Sequence, residues 1–283
     1  EVNSFTLAPN TRKLLGKAVS NNLDNGIYTI ELTITANGNN YIKTDVFSVV
    51  ALNTMVSNKV GMQPLTSAKE LEKYDIELMK KSGNGYIRIT IPWFEDLTEI
   101  PDETIKIVDA LRESDLKVIG VITLLHNAEG TFPITDANIA NYASYCKKVA
   151  ETFGDKVKIY EIWNEPDNQN FSKLENVTAS QYAKTLQEAY RAIKDVDEAY
   201  VVLGGATIGT NGSAVKKFIE NLFGDALKAE QYMDGFSFHY YVIFDNNIKC
   251  YVDEHSARSL NEHSLKDLKS VIALSTKPDL PIW

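Results

Sequence analysis

The stretch Lys158-Ile159-Tyr160-Glu161-Ile162-Trp163-Asn164-Glu165-Pro166-Asp167-Asn168 decides how this chain reads. It begins as a short apolar strand. It stops at an Asn-Glu pair followed by proline, which has no N–H to donate to a sheet ladder. A carboxylate at the C-terminal end of a buried strand stands where barrel enzymes keep their chemistry. A lone glutamate after a strand also serves as a cap of the next helix, and that plainer reading stands beside the catalytic one. Trp163 and Asn164 weigh against it, because an aromatic ring, an amide and an acid fall together at one strand end.

Outward from that stretch, the chain from about Met55 repeats strand, loop and helix. The hydrophobic pattern predicts strands over 59–62, 86–91, 116–125, 157–163, 200–205 and 233–239, and Leu280-Pro281-Ile282-Trp283 opens a seventh. Helices are predicted over 67–81, 104–114, 139–152, 180–196, 213–223 and 256–275. Such alternation gives a parallel sheet, and Lys117-Val118-Ile119-Gly120-Val121-Ile122 is apolar on both faces, as a helix-covered sheet requires. A doubly wound sheet would carry a Gly-rich phosphate loop after its first strand. Gly204-Gly205-Ala206 lacks that spacing and reads as a tight backbone turn. The expected fold is therefore α/β, a (β/α)8 TIM barrel over residues 53–283, incomplete at its C-terminus. Residues 1–52 read as β structure. Ile30, Leu32 and Ile34 alternate with threonines and Glu31, and Ala36-Asn37-Gly38-Asn39-Asn40 is a hairpin turn before a second strand. A whole sandwich needs about 100 residues, so this segment is expected to be the C-terminal part of an immunoglobulin-like β module.

Composition narrows the partners. The chain has 29 basic and 38 acidic residues for a net charge of −9, with no dense basic run. That disfavours nucleic acid and anionic membrane surfaces, and an acidic polymer would be repelled too, so a neutral substrate fits best. The longest apolar run, Val118 to Leu125, is too short to insert across a bilayer. No leader is visible in a chain that starts at Glu1. Four histidines without HxxxH or HxH spacing give no metal signal, and nothing points to a cofactor. Cys146 lies in a helical pattern and reads as a small core residue, a Cys146–Cys250 disulfide being the minor alternative.

The ends of barrel strands converge on one face, so the polar residues there are collected. They are Arg88 with Trp93 beyond it, His126 and Asn127, Asn164 and Glu165, and His239, Tyr240 and Tyr241. Each has a plain alternative: Arg88 pairs with a buried acid, His126 caps a turn, Trp93 packs on a helix, Tyr241 belongs to the core. Together, with aromatics beside them, they suit sugars, whose CH faces stack on flat rings while hydroxyls take the polar groups. Glu161 shares strand parity with Trp163 and Glu165 and is expected to face the barrel interior. An unpaired charge there costs on the order of several kcal/mol, so Glu161 is expected to pair with an inward basic group or polar side chain of a neighbouring strand, Arg88 being the first candidate.

These residues carry a resemblance. Ile162-Trp163-Asn164-Glu165-Pro166 resembles the acid/base motif of the clan of retaining glycosidases on β/α barrels, nearest to the cellulase-like glycoside hydrolase family 5 and the xylosidase-like family 39. Ile87-Arg88-Ile89-Thr90-Ile91-Pro92-Trp93, Leu124-Leu125-His126-Asn127 and Phe238-His239-Tyr240-Tyr241 resemble the motifs of the second, third and sixth strands. The resemblance covers about residues 55–283. It implies hydrolysis of a neutral, β-linked polysaccharide or oligosaccharide by double displacement, outside the cell or on its surface. Such chemistry needs two carboxyl groups, one attacking and one protonating the leaving oxygen. The resemblance implies Glu165 as acid/base, Asn164 on the sugar 2-hydroxyl, and Arg88 and Tyr241 orienting the nucleophile. It further implies His126 and His239 on hydroxyls near the cleavage point and Trp93 as a stacking platform. Two rivals compete: a non-catalytic carbohydrate-binding or surface protein on a degenerate barrel, and a phosphate-binding isomerase or aldolase. The second would want a strand-end lysine or a late phosphate loop, and neither is apparent. The family's nucleophile follows a Pro-Ile-Trp-like segment, so the parent gene is expected to encode a glutamate within about three codons after Trp283. Sequencing that reveals none there contradicts the resemblance.

Overall fold

The computed structural model describes residues 26–36, 39–49, 61–64, 73–93, 98–124, 134–167, 177–207, 212–224, 226, 228–239, 242–245, 250–253 and 264–283. The chain divides into two units, Glu1–Thr54 and Met55–Trp283. In the first, β1 (Gly26–Ala36) pairs antiparallel with β2 (Asn39–Val49), from Ala36↔Asn39 at the turn to Gly26↔Val49. Among the described residues these two strands pair only with each other, so the expected sandwich is seen as a hairpin.

The second unit runs β3 (Gly61–Met62), α1 (Lys73–Lys81), β4 (Tyr86–Trp93), α2 (Asp102–Glu113), β5 (Lys117–Leu124), α3 (Asp136–Phe153), β6 (Val157–Ile162), α4 (Ala179–Lys194) and β7 (Val201–Thr207). It continues with α5 (Gly212–Gly224), β8 (Gly235–Phe238), β9 (Val242–Asp245), β10 (Cys250–Asp253) and α6 (Ser264–Leu274). Strands β3 to β8 form one six-stranded parallel sheet in chain order, and a parallel bridge from Phe236 to Ile282 adds the chain's last residues beside β8. Sequential order is that of a barrel wall, and a doubly wound sheet would reverse direction partway. Helix starts obey their caps. Thr178 and Gln181 form a reciprocal capping box at α4, and Thr135 accepts the Asn138 N–H at α3.

The sheet is strongly curled. β4 and β8 are four strand spacings apart, about 19 Å in a flat sheet at roughly 4.8 Å per step. Yet Arg88 of β4 reaches His239, one residue past β8, at 3.4 Å, and Tyr86 of β4 meets the Trp283 ring at a centroid distance of 6.2 Å. The unit is a parallel α/β half-barrel whose concave face collects side chains from distant strands.

Strand parity sorts the residues of β4. Ile87, Ile89, Ile91 and Trp93 are buried towards the helices, while Arg88 lies on the concave face. Trp93 packs edge-on against Tyr142 of α3 at 5.4 Å and is 1% exposed. The expectation that it stacks on a sugar is therefore corrected. Its odd position turns it away from Arg88 and into the helix layer. Trp163 is likewise buried, edge-on to Tyr182 of α4 at 6.3 Å. Cys146 is a free thiol buried in α3, and burial pushes its pKa far up, so the disulfide alternative falls. The hairpin β9–β10 was not anticipated from the pattern. No helix among the described residues is long and apolar enough to cross a membrane.

Gly205 is required where it stands. Its φ is +93°, and a Cβ there would lie 2.5 Å from the Phe236 ring. Gly205→Ala is expected to lower unfolding stability by about 1–3 kcal/mol. At Gly224 an added Cβ meets open space, and Gly224→Ala is expected to stay within about 0.5 kcal/mol. Urea unfolding midpoints check both, and equal midpoints would contradict the packing account.

Candidate active site

The rim of the half-barrel is built where the strands stop pairing. Trp163 N–H still donates to Ile122 O at 2.9 Å, but Trp163 has φ +72° and Glu165 φ +54°, left-handed values that non-glycine residues seldom adopt. Such strained residues cluster at functional sites. The neighbouring strand bends to match. Gly205 and Ala206, with φ +93° and +45°, shift the β7 register so that Ala206 O accepts the Glu165 N–H at 2.9 Å. His239 N–H donates to Thr207 O at 2.9 Å, which levels the end of β8 with the same rim.

On this frame a polar chain crosses the concave face. Arg88 grips Glu161 with two N–H groups, Nε to Oε2 at 3.3 Å and Nη2 to Oε1. Ser237 Oγ donates to Glu161 Oε2 at 2.8 Å from the far side. Arg88 Nη2 also donates to Asn164 Oδ1 at 2.9 Å, and Nη1 donates to Gln63 Oε1 at 2.6 Å. A guanidinium only donates, so both amides must present oxygen to it. The NH2 group of Asn164 is thereby turned away from Arg88. His239 Nδ1 lies 2.8 Å from Glu165 Oε1, and its Nε2 lies 3.4 Å from Arg88 Nη2, whose two hydrogens already go to Glu161 and Asn164. The array runs Gln63, Arg88, Asn164 and His239 to Glu165, anchored on Glu161. Glu165 is 6% exposed.

The structure thus brings together Arg88, Asn164, Glu165 and His239, which the sequence nominated, and it pairs Glu161 with Arg88. His126 and Tyr241 lie outside the described residues. Trp93 is not in the site. Sequence reasoning missed Gln63 and Ser237. Ser237 stands two residues before His239 and so shares its face of β8, a parity signal that was available. Gln63 follows a two-residue strand, too short to show a period. Among the described residues no group of three His, Cys, Asp or Glu side chains could hold a metal ion.

The Arg88–Glu161 pair makes a stability test. The side chains are 15% and 3% exposed, so removing one partner strands the other. Glu161→Leu is expected to cost about 3 kcal/mol, and adding Arg88→Met to regain most of it. Denaturant melts of both variants check this, and a second substitution that deepens the loss would contradict the pairing account.

A family model described as cellulase (glycosyl hydrolase family 5) matches residues 50–272. Comparison with curated protein sequences found no match. Among solved structures, a hyperthermophilic endo-beta-1,4-glucanase in complex with substrate is similar at 19% identity and TM-score 0.54, covering 79% of this chain and 76% of that one. A GH39 beta-xylosidase from Caulobacter crescentus is similar at 16% identity and TM-score 0.56, over 79% of this chain and 52% of that one. A family 39 glycoside hydrolase from Bacteroides cellulosilyticus WH2 gives 19% identity and TM-score 0.54, over 76% and 45%. At these identities the likeness concerns the fold alone, and the chain spans about half the length of the two family 39 structures. The family match extends over most of the chain, from before β3 into α6, and the protein belongs to glycosyl hydrolase family 5.

Proposed function

We propose that this protein hydrolyses the O-glycosidic bonds of a neutral, β-linked polysaccharide or oligosaccharide with retention of configuration, Glu165 acting as general acid and then general base. The observation that carries this reading is the setting of Glu165. It is a buried carboxyl on a left-handed turn at the rim, fixed by His239 Nδ1 at 2.8 Å and by its own N–H to Ala206 O. A helix-capping glutamate needs none of these constraints.

The chemistry follows from the neighbours. In the first step a nucleophilic carboxylate attacks the anomeric carbon while Glu165 gives its proton to the leaving oxygen. In the second, Glu165 takes a proton from water, which displaces the enzyme carboxylate. Asn164, with its oxygen held by Arg88, offers its NH2 to the sugar 2-hydroxyl, a contact that strengthens as positive charge develops on the ring. His239 holds the Glu165 carboxyl and lies where it also meets hydroxyls beside the bond. Arg88 neutralises Glu161 and orients Asn164. Of its N–H groups, one on Nη1 has no partner among the described residues and is the one that faces the nucleophile in this reading. His126 and Tyr241 keep the roles the resemblance implies, hydroxyl binding and nucleophile orientation.

We also propose that the protein works outside the cell or at its surface, where polymeric sugars are met, and that β1–β2 belongs to an immunoglobulin-like module. Recovery only from host cytosol would overturn the location.

The direct test uses the full-length protein. Glu165→Gln is expected to lower kcat on unactivated oligosaccharides by about 10²–10⁴-fold while oligosaccharide binding, followed by calorimetry, persists. Unchanged turnover would overturn the assignment of Glu165. Wild-type binding without turnover would favour the non-catalytic rival.

A further inference from the structure

We propose that the hydroxyl of Tyr182, on α4, is a positioning group for Glu165: it separates the ends of β6 and β7 and so sets the angle of the segment that carries the acid. This inference rests on the glycosidase reading of Glu165.

β6 and β7 pair at Ile159↔Val201, Tyr160↔Val202 and Glu161↔Leu203, and there the ladder stops. The next backbone groups available to continue it are the Ile162 carbonyl and the Gly205 N–H. They do not bond each other. Gly205 N–H donates to the Tyr182 oxygen at 2.8 Å, and that hydroxyl donates to Ile162 O at 3.0 Å. Only a group that donates and accepts at once can replace a ladder bond in this way, and a phenol qualifies. The inserted oxygen keeps the two strand ends further apart than one hydrogen-bond length. Immediately beyond it both chains turn left-handed, Trp163 and Glu165 on one side, Gly205 and Ala206 on the other. They rejoin through Glu165 N–H to Ala206 O.

The wedge is itself rigid. Tyr182 is fully buried, its ring edge-on to Trp163 at 6.3 Å and tilted against Phe218 at 6.2 Å. Burial pushes its pKa far up, so it stays a neutral hydroxyl able to do both jobs. The ring thus supports Trp163, the first residue of the turn, while the hydroxyl fixes the residues on either side of the gap. Tyr145 of α3 donates to Pro92 O at 2.8 Å on β4, away from the acid.

The two roles separate by leaving group. In the first step, an acid that is mis-aimed harms substrates whose leaving group needs protonation and spares those that leave unaided. Full-length wild type, Tyr182→Phe, Tyr145→Phe and Glu165→Gln are compared on aryl glycosides from dinitrophenyl to phenyl, each at a temperature where circular dichroism shows it folded. Tyr182→Phe is expected to lower kcat/KM, which reports the first step alone, by about tenfold or more on the phenyl glycoside and to leave kcat/KM on the dinitrophenyl glycoside nearly unchanged. Tyr145→Phe loses a comparable hydrogen bond and is expected to keep the wild-type leaving-group dependence. If Tyr182→Phe melts earlier yet keeps that dependence, the hydroxyl is structural only and the inference is overturned. If Glu165→Gln shows no leaving-group effect either, the glycosidase reading is what fails. A crystal structure of Tyr182→Phe then decides the geometry: a Glu165 carboxyl moved by about 1 Å or more from His239 supports the wedge, and an unmoved one overturns it. Should Tyr182→Phe not fold, Ala206→Gly loosens the carbonyl that holds Glu165 N–H and is expected to give the same selective loss, with none counting against the inference.

Discussion

A guanidinium from one strand and a carboxylate two strands away meet on the concave face of a curled sheet, and the polar chemistry of the protein depends on that meeting. Arg88 and Glu161 cancel each other's charge where an isolated ion would be costly. Their pairing adds little net stability against an apolar pair of equal volume. What it contributes is position. With two N–H groups on Glu161, the guanidinium plane is fixed, and it then dictates which way Asn164 and Gln63 present their amides, with His239 packed beside it at 3.4 Å. The orientation of Glu165 is the last step of that sequence, reached through His239 Nδ1.

The rim imposes a second constraint. Side chains can converge only if the strands stop pairing, and strands that stop pairing leave buried N–H and C=O groups unsatisfied. The helices resolve this with phenols. Tyr145 donates to Pro92 O, Tyr182 serves Ile162 O and Gly205 N–H together, and Tyr142 adds a second bond, at 2.5 Å, to the Ile122 O that already accepts the Trp163 N–H. Each tyrosine spends its ring in the core and its hydroxyl at the rim, so one residue packs the helix layer and closes the ladder above it. The left-handed turns at Trp163, Glu165, Gly205 and Ala206 are held within that frame, and local strain is supported by buried neighbours.

Much of this was legible in the sequence because barrel strands and helices leave strong periods. The alternation after Met55 showed the order of the parallel strands, and Ile162-Trp163-Asn164-Glu165-Pro166 marked the strand end at which Glu165 stands. The parity of Glu161 pointed to its partner, since an inward carboxylate needs an inward cation or polar donor, with Arg88 the first candidate. The failures have equally physical causes. Trp93 was grouped with the site by its nearness to the strand end, although its parity with Ile87, Ile89 and Ile91 already assigned it to the helix side. Gln63 and Ser237 are short polar side chains whose role appears only when distant strands are brought together by curvature, which periodicity does not encode. Tyr182 lies in an ordinary amphipathic helix, and nothing in its spacing says that its hydroxyl reaches between two strands.

In the proposed mechanism Glu165 works opposite a second carboxylate at the short separation, about 5–5.5 Å, that permits a covalent glycosyl intermediate. The most direct measurement is proton NMR of the first sugar released by the full-length enzyme, before mutarotation scrambles it. The account predicts that the new hemiacetal has the same anomeric configuration as the bond that was cut. Release of the opposite anomer would mean water attacks directly, across a wider gap between the carboxyl groups, and would contradict it.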